Sequence, residues 1–146
     1  MNDAFSKITA ILLCIFMMFI IPVFYMTEEA DRLKQTRILE EITGFVDGIR
    51  NTGILSKEDY SRLEKVLYSL GGGYRIELTH SFRSYDENGE EVRYFTDKNY
   101  TAQILDKFMQ NKDYFLSKND YLRIVIWSSK NNVVAWYGGS VKYEAY

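Results

Sequence analysis

The chain begins with a long run of apolar residues that carries no charge. The run extends from Ile8 to Met26. As an α-helix rising about 1.5 Å per residue it spans roughly 28 Å, close to the thickness of the hydrocarbon core of a bilayer. The pattern predicts a short N-terminal tail and one transmembrane anchor in residues 1–26, followed by a separate domain in residues 27–146.

Two other interpretations of this run are a cleaved secretory signal and a buried core helix. A signal has an apolar core of roughly 7–15 residues and small residues at its cleavage site. The run here is longer, and residues 24–29 contain no such small pair. A core helix of this length normally has a polar face. The sequence therefore favours an uncleaved anchor that contacts the lipid bilayer.

The basic residues around the anchor do not by themselves decide its orientation. Lys7 precedes the run, whereas Arg32, Lys34 and Arg37 follow it among acidic residues. Basic residues set topology and acidic residues count little. A short tail before a single anchor is typical of a signal anchor. We therefore expect a single-pass protein of the cell membrane with a cytoplasmic N-terminus and an extracytoplasmic domain.

Beyond the anchor, apolar residues recur at three- and four-residue steps, which is typical of an amphipathic helix. These residues are Leu33, Ile38, Leu39, Ile42, Phe45, Val46 and Ile49. The pattern predicts that the anchor continues as a stalk helix over residues 27–50. Gly44 and Gly48 form a small-xxx-small pair, which outside lipid is weak evidence for dimerisation. The helix is expected to end at residues 51–53.

Two further helices are predicted from their start and stop signals. Ser56, with Asp59 three residues later, forms a variant of the capping box that begins the second helix. Three consecutive glycines, residues 71–73, end it. Thr96 or Asp97 is expected to cap a third helix that extends to Met109.

The remaining segments predict short strands. Residues 74–82 alternate between apolar and polar, a turn is expected at 86–89, and residues 91–95 return to complete a hairpin. Residues 121–129 are almost continuously apolar, which predicts a central strand covered on both faces. Residues 133–137 pair back, and Gly138 and Gly139 are expected to bend the strand before residues 141–143. The predicted fold class is therefore α+β with a small antiparallel sheet.

Composition excludes several classes of function. The net charge is −2 and no basic patch stands out, so nucleic acid is not an expected partner. Cys14 is the only cysteine and lies inside the apolar run. The domain after the anchor therefore has neither a disulfide nor a cysteine metal site. Aromatic residues make up 16% of the chain and include 12 tyrosines, which suits a sheet-rich domain.

Three features of the sequence are candidates for chemistry. His80 is the only histidine, and alternation places it beside Leu78, where a hydrogen-bonded core residue is the better interpretation than a catalytic base. The acidic segment 86–91 lacks the ligand pattern of a calcium loop. Residues 71–73 precede a strand, so they present no helix N-terminus to phosphate. We expect no enzyme, cofactor or metal, and assign no catalytic or binding residue.

The layout of anchor, amphipathic helix and small α+β head resembles type IV pilin-like proteins. The closer resemblance is to TadE-like minor pilins of Gram-positive bacteria. The matching stretches are residues 45–53, 55–60, 72–78, 114–121 and 136–141. The resemblance implies a structural or assembly component of a tight-adherence pilus or a type II secretion-like apparatus. It also implies that other pilin-like or secretion subunits pack against the N-terminal helix.

The chain departs from the pilin pattern at its start. Pilin precursors are cut before a phenylalanine, as Ala4-Phe5 would allow, and carry glutamate at the fifth mature position. That position here is Thr9. An alternative function is an anchored extracytoplasmic sensor or adaptor, although an N-terminal tail of this length holds no output domain. An enzyme is the third possibility, against which stands the lack of any convergent set of titratable residues.

Overall fold

The structure is a computed structural model with an α+β fold, in agreement with the sequence prediction. It describes residues 2–82, 84–85, 91–92 and 100–142. The chain divides into two compact units, residues 1–36 and 37–146. The division predicted at residue 26 concerns the bilayer boundary and stays a prediction. The first helix, α1, is continuous from Asn2 to Thr52 and includes Pro22.

In the first unit, the side chains of the apolar run of α1 are exposed. Ile8 is 58% exposed, Phe16 67% and Met26 74%. By length and composition the helix is able to cross a membrane, although a signal sequence passes the same test. This part of the chain is therefore compatible with single-pass anchoring.

The second unit, which we call the head, contains the end of α1, two more helices and seven strands among the described residues. In chain order these are β1 Ile54–Leu55, α2 Lys57–Ser69, β2 Arg75–Ser81, β3 Ser84–Tyr85, β4 Glu91–Val92, α3 Thr101–Met109, β5 Tyr114–Phe115, β6 Tyr121–Trp127 and β7 Val133–Ser140. The main sheet is antiparallel with strand order β2-β6-β7. The segment predicted as a central strand is therefore central, but only one of its faces is fully buried, because Arg123, Val125 and Trp127 are half-buried. The strands β1 and β5 form a separate antiparallel pair, as do β3 and β4.

From Ile38 onward most of the apolar stripe of α1 is buried, although Leu39 is 45% exposed. Ile38, Ile42 and Val46 are fully buried and share one core with the inner face of the sheet. An amphipathic helix needs such a cover for its apolar side. The end of α1 is fastened to the segment that follows β7 because the Lys142 N–H donates to the Arg50 carbonyl at 2.8 Å. Residues 37–52 are therefore part of the head.

The glycine pair of β7 does not bend the strand, contrary to expectation. Gly138 and Gly139 occupy regular ladder positions, and the register shift lies at the other end, between Ile126 and Trp127. A Cβ on Gly139 would lie 2.5 Å from Arg50 Nε. That Nε–H donates to the Ser140 carbonyl at 2.9 Å. Gly139 therefore makes room for the arginine that joins α1 to the sheet.

The two shorter helices differ in how well their starts were predicted. Ser56 is the N-cap of α2 as predicted, since the Asp59 N–H donates to Ser56 Oγ at 3.1 Å, whereas the Asp59 carboxylate accepts from the Ser56 hydroxyl at 2.7 Å. All three glycines after α2 have positive φ, as their role as a helix stop requires. The helix α3 begins at Thr101, later than predicted. The predicted caps at 96 and 97, the turn at 86–89 and residue 143 lie outside the described residues.

Candidate functional site

The lone histidine lies in a buried aromatic environment at the end of β2. The alternation of this strand points His80 to the inner face, where it is 7% exposed. The rings of Phe82, Tyr100 and Tyr114 lie with their centroids 5.9, 5.7 and 5.6 Å from the imidazole centroid. A polar ring in such surroundings needs hydrogen-bond partners.

Both nitrogens of His80 have a partner from the segment between α3 and β6. Nδ1 lies 2.7 Å from the Tyr114 hydroxyl, and Nε2 lies 2.9 Å from Asp120 Oδ2. The same Oδ2 accepts the Ser117 N–H at 2.8 Å. The Val141 N–H in turn donates to the Asp120 carbonyl at 2.8 Å. We call His80, Tyr114 and Asp120 the polar cluster.

Hydrogen-bond chemistry fixes the direction of the bond between His80 and Asp120. An ionised carboxylate only accepts, so Nε2 carries the proton that is donated to Asp120. In a neutral ring Nδ1 then accepts the Tyr114 hydroxyl proton. Burial, followed by the nearby Tyr100 and Asp120, raises the pKa of Tyr114 to about 12, which keeps the phenol protonated. The Lys107 ammonium lies 4.8 Å from the centroid of the Tyr114 ring.

This arrangement suits a structural role better than a catalytic one. An open cleft of about 480 Å³ lies beside His80 and residues 117–120. The two imidazole nitrogens are nevertheless already engaged, so neither faces the cleft as a base. A phenol with a raised pKa is a poor nucleophile. Among the residues that the structure describes, no group of three or more His, Cys, Asp or Glu is placed to hold a metal ion.

The sequence located one member of the cluster and missed two. It placed His80 on the buried face, which is confirmed. It gave no reason to single out Tyr114 or Asp120, which lie 34 and 40 residues away. The available signal was indirect, because a buried histidine requires polar partners from elsewhere in the chain.

The raised pKa of Tyr114 predicts a loss of stability at alkaline pH. An unfolded tyrosine ionises near pH 10, so its contribution is complete below pH 10 and disappears as the pH rises to about 12. Over that window we expect the free energy of unfolding to fall by about 1–2 kcal/mol more in the wild type than in Tyr114→Phe, which has no phenol to ionise at this position. Urea unfolding at pH 9, 10 and 11.5 measures the difference.

Tryptophan fluorescence follows the head specifically in this experiment, since both tryptophans of the chain, Trp127 and Trp136, lie in the main sheet. At pH 8 the Tyr114→Phe variant is expected to be less stable by about 1–3 kcal/mol, because Nδ1 of His80 loses its donor. The prediction would be contradicted if the free energies of unfolding of the two proteins fell by the same amount between pH 10 and 11.5.

The polar cluster therefore fixes the segment from β5 to β6 against β2. Its three side chains converge from two strands and one loop, and its hydrogen bonds are directed within the head. It offers no residue that we assign to catalysis or cofactor binding. Comparison of the chain with protein-family models, curated proteins and solved structures finds no match.

Proposed function

We propose that this protein is a membrane-anchored, pilin-like structural or assembly component of a tight-adherence pilus or a type II secretion-like apparatus. The observation that carries the proposal is the composition of α1. One helix, Asn2–Thr52, holds both an exposed apolar run and a stripe that is buried in the head. The TadE-like proteins that this chain resembles have the same layout of anchor, amphipathic helix and head.

The apolar run supports membrane insertion because exposure of its side chains to water is costly. Leu12 is 62% exposed, Phe19 71% and Phe24 68%. Burying a side chain of this kind contributes about 1.5–3 kcal/mol. A contiguous apolar surface of this extent marks a contact with lipid or protein. In a bilayer, further association of such helices rests on van der Waals packing and a few polar contacts.

The head supports a binding or scaffolding role over an enzymatic one. Among the described residues, two of the four buried polar side chains, His80 and Asp120, bond to each other in the polar cluster. Catalysis needs titratable groups that converge on a site open to substrate. A protein that positions partners requires instead a stable head and an anchor, and α1 supplies a part of both.

Isolation of the tagged full-length chain from native membranes after mild cross-linking tests the proposal. We expect pilin-like or secretion subunits to co-purify, and their recovery to fall when the apolar run is replaced by an unrelated transmembrane helix. Deletion of the protein is expected to impair assembly of the apparatus. A chain that migrates alone, together with normal assembly in the deletion strain, would refute the proposal.

A further inference from the structure

One hydrogen-bonding edge of β2 faces away from β6, its neighbour in the main sheet. β2 is an edge strand. The Leu78 N–H donates to Thr101 Oγ1 at 2.8 Å and its carbonyl accepts the Tyr100 N–H at 3.0 Å, so both groups point away from β6. Backbone direction repeats every two residues in a strand, so the N–H and carbonyl of Ile76 point the same way.

The outward backbone groups of Ile76 are open within the part of the chain that the structure describes. No residue of that part hydrogen-bonds to them. An edge with open N–H and carbonyl groups is a template for another strand. Beyond this position the edge is closed by Tyr100 and Thr101. The template is therefore confined to the beginning of β2.

A cleft of about 580 Å³ runs along this same stretch of edge. It lies between the beginning of β2 and the helices α2 and α3. The helix side contributes Tyr60, Leu67 and Leu105, of which Tyr60 and Leu67 are buried and Leu105 is half-buried. A strand that paired with Ile76 would therefore place alternate side chains against an apolar and aromatic wall.

The charge of the cleft selects the kind of side chain that fits. Arg75 and Glu77 line the cleft with opposite charges that offset each other; Arg75 donates to Asn131 Oδ1 at 3.1 Å and lies 5.4 Å from the Trp127 ring centroid. Glu77 accepts the Trp127 Nε1–H at 2.8 Å. Glu64 also lines the cleft and is exposed, so its negative charge is the one not offset there. Tyr60, Tyr68 and Tyr74 line the same cleft, and a carboxylate beside tyrosine rings favours an organic cation.

We propose that this cleft binds an extended segment of a partner polypeptide that carries lysine or arginine. The segment adds a strand at Ile76 through main-chain hydrogen bonds, and its cationic side chain lies beside Glu64 and the tyrosine rings. Strand addition of this kind takes affinity from the backbone and specificity from alternate side chains. The inference concerns the head alone and does not depend on the proposed assembly function.

A fluorescent peptide of alternating lysine and valine serves as the probe. The full-length chain is placed in nanodiscs of phosphatidylcholine, a lipid without net charge, and binding is measured by fluorescence polarisation against empty nanodiscs. We expect saturable binding, and affinity lower by at least about tenfold for the peptide of alternating glutamate and valine. Absence of saturable binding above empty nanodiscs would overturn the proposal.

Charge reversal in the cleft provides the matched test. Glu64→Lys is expected to lower the affinity for the lysine peptide by at least about tenfold and to raise the affinity for the glutamate peptide. The control is Asp106→Lys, an identical change of charge at an exposed residue of α3 that does not line the cleft. Equal effects of the two variants would show a long-range electrostatic effect and would contradict binding in the cleft.

N-methylated peptides test strand addition itself. Only every second amide of an added strand faces the edge. Methylation of all lysine amides or of all valine amides is therefore expected to abolish binding in one case and to preserve it in the other. The same outcome for both peptides would contradict strand addition. A chain that is dimeric without peptide and dissociates when the peptide is added would identify a second copy as the occupant and overturn the partner assignment.

Discussion

The double variant Leu13→Arg, Met17→Arg is expected to lose stable integration into membranes. Both residues lie in the middle of the apolar run and are about half exposed, at 54% and 53%. Each arginine near the centre of a spanning helix costs about 2.5–3.5 kcal/mol, whereas the remaining Leu, Ile, Phe and Val residues contribute about 0.3–0.6 kcal/mol each. Two arginines therefore offset the whole favourable contribution of the run.

Alkaline carbonate extraction measures this effect as the fraction of chain that stays in the membrane pellet. The matched control is Leu33→Arg, Leu39→Arg, which adds the same charges to exposed positions of α1 beyond the apolar run. The control is expected to remain in the pellet. Intact mass of the wild-type chain completes the test, since loss of the run from the mature protein would identify a cleaved signal and contradict the anchor.

Local signals explain why the helices and the central strand could be predicted. The beginning of α2 depends on Ser56 and Asp59, which are three residues apart, and its end depends on three adjacent glycines. The central strand could be predicted because Leu122, Ile124 and Ile126 belong to an almost uniformly apolar run. Each of these signals lies inside the element that it specifies.

Pairings between distant segments could not be predicted in the same way. Ile54 and Leu55 pair with Phe115 and Tyr114, and strands of two residues have no periodicity to detect. The cover of the α1 stripe is a second example. Its amphipathic pattern required a partner surface, but only the fold shows that the inner face of the main sheet provides it.

The polar cluster shows the same limit for side chains. Alternation along β2 was enough to predict that His80 is buried. In sequence, Asp120 is an ordinary loop carboxylate between Asn119 and Tyr121, and nothing local marks it as a partner of His80. Its role arises because the antiparallel pairing of β2 with β6 places Ser81 opposite Tyr121. Residues 80 and 120 are thereby brought together.

Asp120→Ala is expected to be the most destabilising single substitution in the polar cluster. It removes the acceptor of two buried donors, His80 Nε2–H and the Ser117 N–H. A buried group left without its partner costs about 1–3 kcal/mol, and bonds to a charged acceptor lie at the upper end. The free energy of unfolding should therefore fall by about 3–5 kcal/mol, measured by urea unfolding of the full-length chain in detergent with tryptophan fluorescence.

Asp120→Asn separates the hydrogen bonds of the cluster from its charge. Both donors bind the same oxygen, Oδ2, so a single amide oxygen at that position is able to accept both. If His80 is neutral, we expect the free energy of unfolding of the asparagine variant to lie within about 1.5 kcal/mol of the wild-type value. Only the strengthening of the hydrogen bonds by the negative charge is lost. An asparagine variant as unstable as Asp120→Ala would mean that His80 is protonated and that an ion pair, not a neutral hydrogen-bonded chain, holds the segment from β5 to β6 in place.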